Sequence, residues 1–354
     1  MGVPLIQQVR IGAYIMTRSL RREKRFPLVL MLEPLFQCNL ACAGCGKIDY
    51  PPEILKKRLS VEECVDAALE CGAPVVSIPG GEPLIHPEIG RIVRGLTGLK
   101  KFVYLCTNAL LLKRKMDLFE PSPYLTFSIH LDGLEERHDS LVSCEGVFES
   151  AVEAIRLAKK RGFRVTTNTT IYGNESPEEA VRLFEFISGL GVEGMTLSPA
   201  FHYGNAREKK DFLGREEAVL IMRRLIREGA IRGWKFNHST LFLDFLAGNQ
   251  DYRCSPWGNP TRNIFGWQMP CYLLNEGYAS SYRELMEKTD WEAYGYDRNA
   301  KCADCMVHCG YEPTAVMDTL RHPLKALVAK LGGVDRKGAE RPRPVKTIPP
   351  QETT

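Results

Sequence analysis

Hydrophobic and polar positions fall into two alternating patterns along much of this chain. Between Phe26 and about Gly229, short β-branched apolar runs alternate with stretches whose apolar residues recur near the 3.6-residue period. Residues 28–36, 74–78, 102–106, 125–130, 163–170 and 195–198 read as strands. Helices are predicted over 60–71, 87–96, 113–119, 146–161, onward from Ser176, and over 215–228. The boundaries have local causes: Ser60 with Glu63 makes a capping box and Gly72 closes that helix, while Ser176, Pro177 and Glu179 open another. Six consecutive βα units with apolar strands predict an α/β fold, a parallel sheet with helices outside. Because closure of the standard barrel takes eight units, the expected form is an open, partial (β/α)6 barrel.

Beyond Trp234 the rhythm breaks. Residues 250–312 are rich in Cys, Trp, Tyr, Gly and Asn, as expected of loops folded around something other than a large core. Residues 4–25 form an amphipathic basic segment. Leu5, Ile6, Val9, Ala13, Met16 and Leu20 share one side, and Arg10, Arg18, Arg21, Arg22, Lys24 and Arg25 face a single acid, Glu23. Such a helix either caps the base of the barrel or lies in a membrane interface. Residues 322–331 are a second short apolar-basic helix. The expected division is an N-terminal helix over 1–25, the partial barrel over 26–233, a Cys-rich domain over 234–333 and a disordered Pro- and Lys/Arg-dense tail over 334–354.

Composition narrows the class. With 47 basic and 43 acidic residues the net charge is +4, too balanced for a dedicated nucleic-acid binder. No run approaches the length of a spanning helix. No secretory signal is visible, so the expected location is the reducing cytoplasm, with peripheral contact at the inner membrane face if the N-terminal helix binds lipid. There, the 12 cysteines are expected to bind metal or do redox chemistry more than to pair.

Three of them, Cys38, Cys42 and Cys45, lie within eight residues directly after the first strand, with Gly44 to relieve the turn. Thiolates are soft ligands suited to zinc or iron–sulfur clusters, and three local ligands would leave one iron of a four-iron cluster open. Pro79-Gly80-Gly81-Glu82-Pro83 follows the second strand. Paired glycines there allow close backbone approach, and a carboxylate suits an ammonium group. Polar residues recur at later strand ends: Thr107 and Asn108, Ser128, His130 and Asp132, Asn168 and Thr169, Ser198 and His202. That recurrence argues for an active site on the C-terminal face of the sheet.

Cys-x3-Cys-x2-Cys followed by GGEP in a (β/α)6 chain resembles the radical S-adenosylmethionine (SAM) superfamily. The resemblance implies that Cys38, Cys42 and Cys45 hold a [4Fe–4S] cluster and that SAM binds its open iron. It implies SAM contacts from Gly80, Gly81, Glu82, Asn108, Ser128, Asp132 and Asn168, and an electron donor such as flavodoxin or ferredoxin. One departure is Gly44, where many relatives carry an aromatic residue near the adenine.

Cys254, Cys271, Cys302, Cys305 and Cys309 form a second group in the loop-rich region. The pattern Cys254…Gly266-x4-Cys271 resembles auxiliary-cluster extensions of the same superfamily, and implies a second iron–sulfur cluster or a structural zinc. With His308 also near, the ligand set is open. Cys64, Cys71 and Cys144 fit packing positions. Cys106 ends the third strand, where it is either a small core residue or a thiol facing the barrel interior and able to donate a hydrogen atom.

At a finer level, the run from Phe36 to Ile48, Ser77–Pro83 and the Cys-rich C-terminal region resemble the adenosylhopane synthases (adenosyl-hopene transferases) of hopanoid biosynthesis. That narrower resemblance implies transfer of the adenosyl group of SAM to the alkene of diploptene, a triterpene lipid, with a new carbon–carbon bond. Two alternatives stand beside it. One is a radical SAM enzyme of the auxiliary-cluster type acting on a peptide or another substrate, although little chain precedes residue 28 to house a peptide-docking module. The other is a metal-stabilised binding protein without turnover, which leaves GGEP and the polar strand ends unexplained.

Overall fold

The computed structural model describes residues 2–201 and 211–334. The expected tail, save for Val334, and His202 lie outside the described residues. Six strands form a parallel sheet in the order β6-β5-β4-β3-β2-β1: β1 (Val29–Leu32), β2 (Val75–Ile78), β3 (Phe102–Thr107), β4 (Leu125–His130), β5 (Arg164–Ile171) and β6 (Gly194–Pro199). Each pairs with its sequence neighbour, as right-handed βα repetition requires. The strand expected over 28–36 is shorter than its apolar run, since Pro34 has no N–H to continue the ladder.

Helix ends follow the local chemistry. Ser60 and Glu63 form the reciprocal capping box of the helix Val61–Cys71, and Gly72 closes it in the left-handed region. Ser176 and Glu179 do the same for Pro177–Gly189. The helix expected over 113–119 is only one turn, Leu112–Lys115, followed by a 3-10 turn.

Alternation along the strands sorts two faces. Val76, Ile78, Leu105, Phe127, Ile129, Val165 and Leu197 are fully buried in the main core beneath the outer helices. Ser77, Cys106, Ser128, Thr166 and Asn168 occupy the opposite parity and give the concave face a polar lining.

The C-terminal region departs from the loop-only expectation. β7 (Thr261–Asn263) runs parallel to β1, and β8 (Gly266–Pro270) and β9 (Asn275–Ala279) follow antiparallel, so one nine-stranded sheet crosses the whole chain. Trp267, Leu285, Trp291, Met306 and Tyr311 belong to the same hydrophobic core as the barrel. Strands of three to five residues carry too few positions for a period-two signal, and their stability comes from docking on β1.

Leu30 is fully buried in the central β1, whereas Leu220 is 58% exposed on an outer helix. Leu30→Ala is expected to destabilise the protein by about 2–5 kcal/mol through transfer and cavity terms. Leu220→Ala should stay within about 0.5 kcal/mol. Thermal unfolding followed by circular dichroism reads both.

Candidate radical SAM and auxiliary-cluster site

The site begins with a backbone lock between the first two βα loops. Gly81 N–H donates to Leu35 carbonyl at 2.9 Å, and Glu82 N–H donates to Gln37 carbonyl at 2.8 Å. The approach is so close that a Cβ on Gly81 would stand 2.2 Å from the Gln37 oxygen, and Gly80 sits at φ 59° against Leu35. The glycines of GGEP therefore hold the strand end that launches Cys38.

Glu82 is 1% exposed and carries the lock onward. Its carboxylate accepts from Leu84 N–H (2.9 Å), the Thr107 hydroxyl (2.8 Å) and Asn108 N–H (2.9 Å). Burial pushes its pKa up to about 7 against the pull of these donors. A carboxylate offers roughly four lone-pair sites, so capacity remains for about one further donor. Asn108 in turn donates from Nδ2 to Asn39 Oδ1 at 2.9 Å and faces the Cys38 sulfur at 3.9 Å.

Cys38, Cys42 and Cys45 are partly buried on the loop after β1. Burial first, then neighbouring acids and thiols, pushes the Cys38 thiol up to about 11 and Cys42 to about 12. The acid groups around them supply no cation, so thiolates here need a metal's positive charge to form. That is the donor set an iron–sulfur cluster takes. Gly44 lies under the end of β5, where a Cβ would meet the Tyr172 hydroxyl at 2.6 Å. The aromatic group missing from the cysteine loop is thus matched by a ring from another strand.

Along the same face, Asp132 is 2% exposed and pairs with His130 at 2.6 Å, while its other oxygen accepts from Thr170 N–H at 2.7 Å. Burial depresses His130, but the Asp132 charge and hydrogen bond outweigh it and raise the pKa. Asn168 on β5 lies in register with His130 on β4, and Ser128 on β4 with Cys106 on β3. Cys106 sits 3.4 Å from the Ser77 hydroxyl within the barrel. Ser198, at the end of β6, meets His308 Nδ1 at 3.1 Å. Cys64 and Cys71 are buried on their helix and Cys144 is exposed, as packing and loop positions require.

The second cysteine group assembles fully. Cys254, Cys271, Cys302, Cys305 and Cys309 line one cavity with Phe201, Leu273 and Tyr311. Gly310 leaves room beside it, since a Cβ there would stand 2.6 Å from the Cys254 sulfur. Burial and the other four thiols hold Cys254 well above the ordinary thiol range. His308 does not line that cavity; it is turned to Ser198. Among the described residues, no three His, Cys, Asp or Glu side chains close on one point as a lone metal ion requires. An iron–sulfur cluster instead takes one thiolate at each iron corner, so its thiols ring a cavity.

Glu175, Tyr172, His138 and the Glu33–Lys47 pair complete the surroundings and were not visible in the sequence. Glu175 directly precedes the Ser176 N-cap and reads there as helix-capping charge. Its carboxylate is buried, has no hydrogen-bond partner and lies 3.8 Å from Arg137 Nε. Burial pushes it up to about 8, opposed by Arg137.

Comparison with known proteins follows this geometry. Residues 32–187 match the radical SAM superfamily and residues 195–329 match a domain of unknown function (DUF3463). A GTP 3',8-cyclase of Synechocystis sp. is 24% identical over 253 residues, 68% of this chain and 77% of that protein. An AdoMet-dependent heme synthase of Methanosarcina barkeri is 28% identical over 171 residues, 47% of this chain and 48% of that protein, about half its length. The structure of Streptococcus suis SuiB bound to precursor peptide SuiA superposes with a TM-score of 0.62 at 16% identity, covering 83% of this chain and 73% of that one. Residues 32–187 thus form a radical SAM partial barrel, followed by a Cys-rich C-terminal region, and the matches support a radical SAM enzyme. Its cofactors are a [4Fe–4S] cluster and SAM, and the five-cysteine cavity fits an additional cluster.

The narrower resemblance is corrected. The relatives found are GTP 3',8-cyclases and a heme synthase, which overturns the assignment to adenosylhopane synthases and leaves diploptene and a triterpene lipid without support. The physical reason is that the cysteine triplet and GGEP are the motifs the resemblance ties to the cofactors shared across the superfamily, so they carry no information on the substrate that distinguishes one enzyme from another.

Cys38→Ala, Cys42→Ala and Cys45→Ala are each expected to abolish 5'-deoxyadenosine formation from SAM and reductant and to lower iron content; liquid chromatography and iron assay check both. Glu175 gives a pH signature. Its pKa is raised on folding, so the unfolded chain loses the proton first and wild-type stability falls as pH rises from the ordinary carboxylate range to about 8. Glu175→Gln removes that fall, and its melting temperature should gain on wild type between pH 5 and pH 8.

Proposed function

We propose that this chain is a radical SAM enzyme of the auxiliary-cluster type that modifies a peptide. The observation carrying the reading is a cleft between the two cysteine groups. Phe36, Gly46, Lys47 and Tyr50 from the first cysteine loop face Gln268, Tyr272, Leu273 and Asn275 from the C-terminal hairpin. Leu273 also walls the five-cysteine cavity, so the two spaces are separated by the turn that carries Cys271.

The cleft suits a chain of amides and side chains better than a triphosphate. Lys47 is spoken for: its ammonium pairs with fully buried Glu33 at 2.9 Å and lies over the Tyr272 ring at 4.5 Å. Lys301, at the neighbouring cavity, pairs with Glu276 at 2.7 Å. A triphosphate would call for several uncommitted cations, whereas aromatic faces and the Gln268 and Asn275 amides suit peptide groups. The likeness to SuiB, whose structure holds a precursor peptide, supports the same reading.

When bound, the reduced cluster supplies the electron that cleaves SAM. The chain's own part is to hold and to shield. The GGEP lock fixes Cys38, and the remaining acceptor capacity of Glu82 is placed for the SAM amino group, with Gly80 and Gly81 beside it. Asn108, Ser128, Asp132 and Asn168 line the face on which the rest of SAM would lie. Up to four of Cys254, Cys271, Cys302, Cys305 and Cys309 would supply thiolates to an auxiliary cluster, and a flavodoxin- or ferredoxin-type protein supplies electrons. Cys106, screened inside the barrel, would pass its S–H hydrogen to a substrate carbon radical, and one electron from the same donor protein with one proton from water would return the resulting thiyl radical to the thiol.

Anaerobic incubation with SAM, dithionite and either a synthetic peptide library or GTP tests the substrate. A peptide-dependent rise in 5'-deoxyadenosine with an altered peptide is expected, the hydrogen returned by Cys106 reading as one added mass unit in D2O; a cyclised GTP product would replace this reading with the cyclase one. Cys106→Ala should leave SAM cleavage intact and alter the product, and an unchanged product at an unchanged rate retires the donor role.

A further inference from the structure

The N-terminal helix Leu5–Leu20 packs on the barrel through a mixed face of Gln7, Ile11, Tyr14 and Ile15. Gln7 is buried and accepts from the Tyr104 hydroxyl at 3.0 Å; Tyr14 meets Phe26, and Ile15 joins Phe26 and Leu28. The apolar stripe Leu5, Val9, Ala13, Met16 and Leu20, at helical spacing, is turned outward. Leu5, Val9, Met16 and Leu20 are 75%, 62%, 64% and 83% exposed. A helix on a globular protein ordinarily turns its apolar residues to the core; here Ile11, Tyr14 and Ile15 do so, and a second apolar stripe faces outward.

A second helix repeats the pattern. In Pro323–Gly332, Leu324, Leu327, Val328 and Leu331 follow i, i+3, i+4, i+7 and are 49–77% exposed, while Ala329 is buried. Leu320 links the two helices: its side chain lies 4.0 Å from the place of a Gly12 Cβ, and it lines a groove with Met16 and Leu20. Around these stripes stand exposed Arg21, Arg22, Lys24, Arg321 and Lys330, which make no ion pair among the described residues. The nearby acids, Glu23 and Asp318, are already paired, with Arg18 at 2.7 Å and Lys325 at 2.5 Å.

We propose that these two helices form a docking face for an anionic lipid bilayer, on which the enzyme lies without crossing. Exposed leucine stripes bury in the acyl boundary, and uncommitted arginines and lysines neutralise anionic headgroups. No helix among the described residues is long and apolar enough to span. The helix sits at the barrel's base: Gly2 packs on Gly194 and receives Arg164, the first residues of β6 and β5. Cys38, Glu82 and Asp132 lie at the opposite strand ends. A docked enzyme therefore keeps its cleft facing the aqueous phase, where a peptide and an electron-donor protein can reach it. The proposal stands independently of the substrate reading.

Vesicle flotation of the reconstituted full chain tests it, with phosphatidylcholine vesicles against vesicles containing phosphatidylglycerol. Binding to the anionic vesicles is expected to exceed that to neutral ones by at least about tenfold and to weaken with salt. Leu20→Gln/Leu324→Gln should lose most of it, and Arg21→Gln/Arg22→Gln/Lys24→Gln should erase the preference for anionic lipid, both with wild-type circular dichroism and SAM cleavage. No flotation, or flotation indifferent to lipid charge and to both variants, overturns the proposal. So does a wild-type dimer in light scattering that Leu20→Gln/Leu324→Gln dissociates, since a second copy would then cover the face.

Discussion

The contact on which the site depends is the backbone lock between residues 35–37 and 80–82. A polypeptide can approach another this closely only where a Cβ is missing, and at Gly81 the missing atom would fall 2.2 Å from a carbonyl oxygen. The two hydrogen bonds made possible by that approach align the ends of β1 and β2. Glu82 then ties the end of β3 to them through Thr107 and Asn108. Cys38 is thereby fixed relative to three strands before any metal arrives. Pre-placement matters because burial raises the Cys38 and Cys42 thiols, and a site assembled in advance would lower the ordering cost of taking up a metal there.

The same economy explains the C-terminal region. Five thiols around one cavity would leave a poorly packed pocket in an isolated small domain. Here the hairpin of β7, β8 and β9 extends the barrel's own sheet, and Trp267, Trp291 and Tyr311 bury into the common core. The cavity is held by the barrel, and the turn from Cys271 to Asn275 can then serve two spaces at once. The cleft lies between the first cysteine loop and the turn that also walls the five-cysteine cavity, which is where the proposed reading puts the substrate.

Charge is distributed with the same division of labour. On the cleft side, lysines are consumed by buried or partly buried carboxylates, as in Glu33–Lys47. At the barrel's base the basic side chains are largely left over, beside leucines that no other element covers. One end of the barrel is thus built for chemistry under close electrostatic control, and the other presents an apolar, cationic surface.

What the sequence determined by itself was whatever local chemistry dictates. The βα rhythm, the capping boxes at Ser60 and Ser176, the cysteine triplet and the spacing of the five later cysteines were all legible, because each is a pattern of residue types along the chain. It also carried the apolar stripe of the first helix, but not the side on which it would lie. Substrate identity was not legible, since the motifs that stand out serve the cofactor. Only the tertiary structure decided that Gly81 presses on Gln37, that Tyr172 reaches over Gly44, that Glu175 is buried without a hydrogen-bond partner, that His308 turns to Ser198 and away from the thiols, and that β7 joins β1. Each of these is a contact between segments far apart in the chain, and its existence depends on how sheet curvature and packing bring loop ends together, a quantity that no local pattern of residues contains.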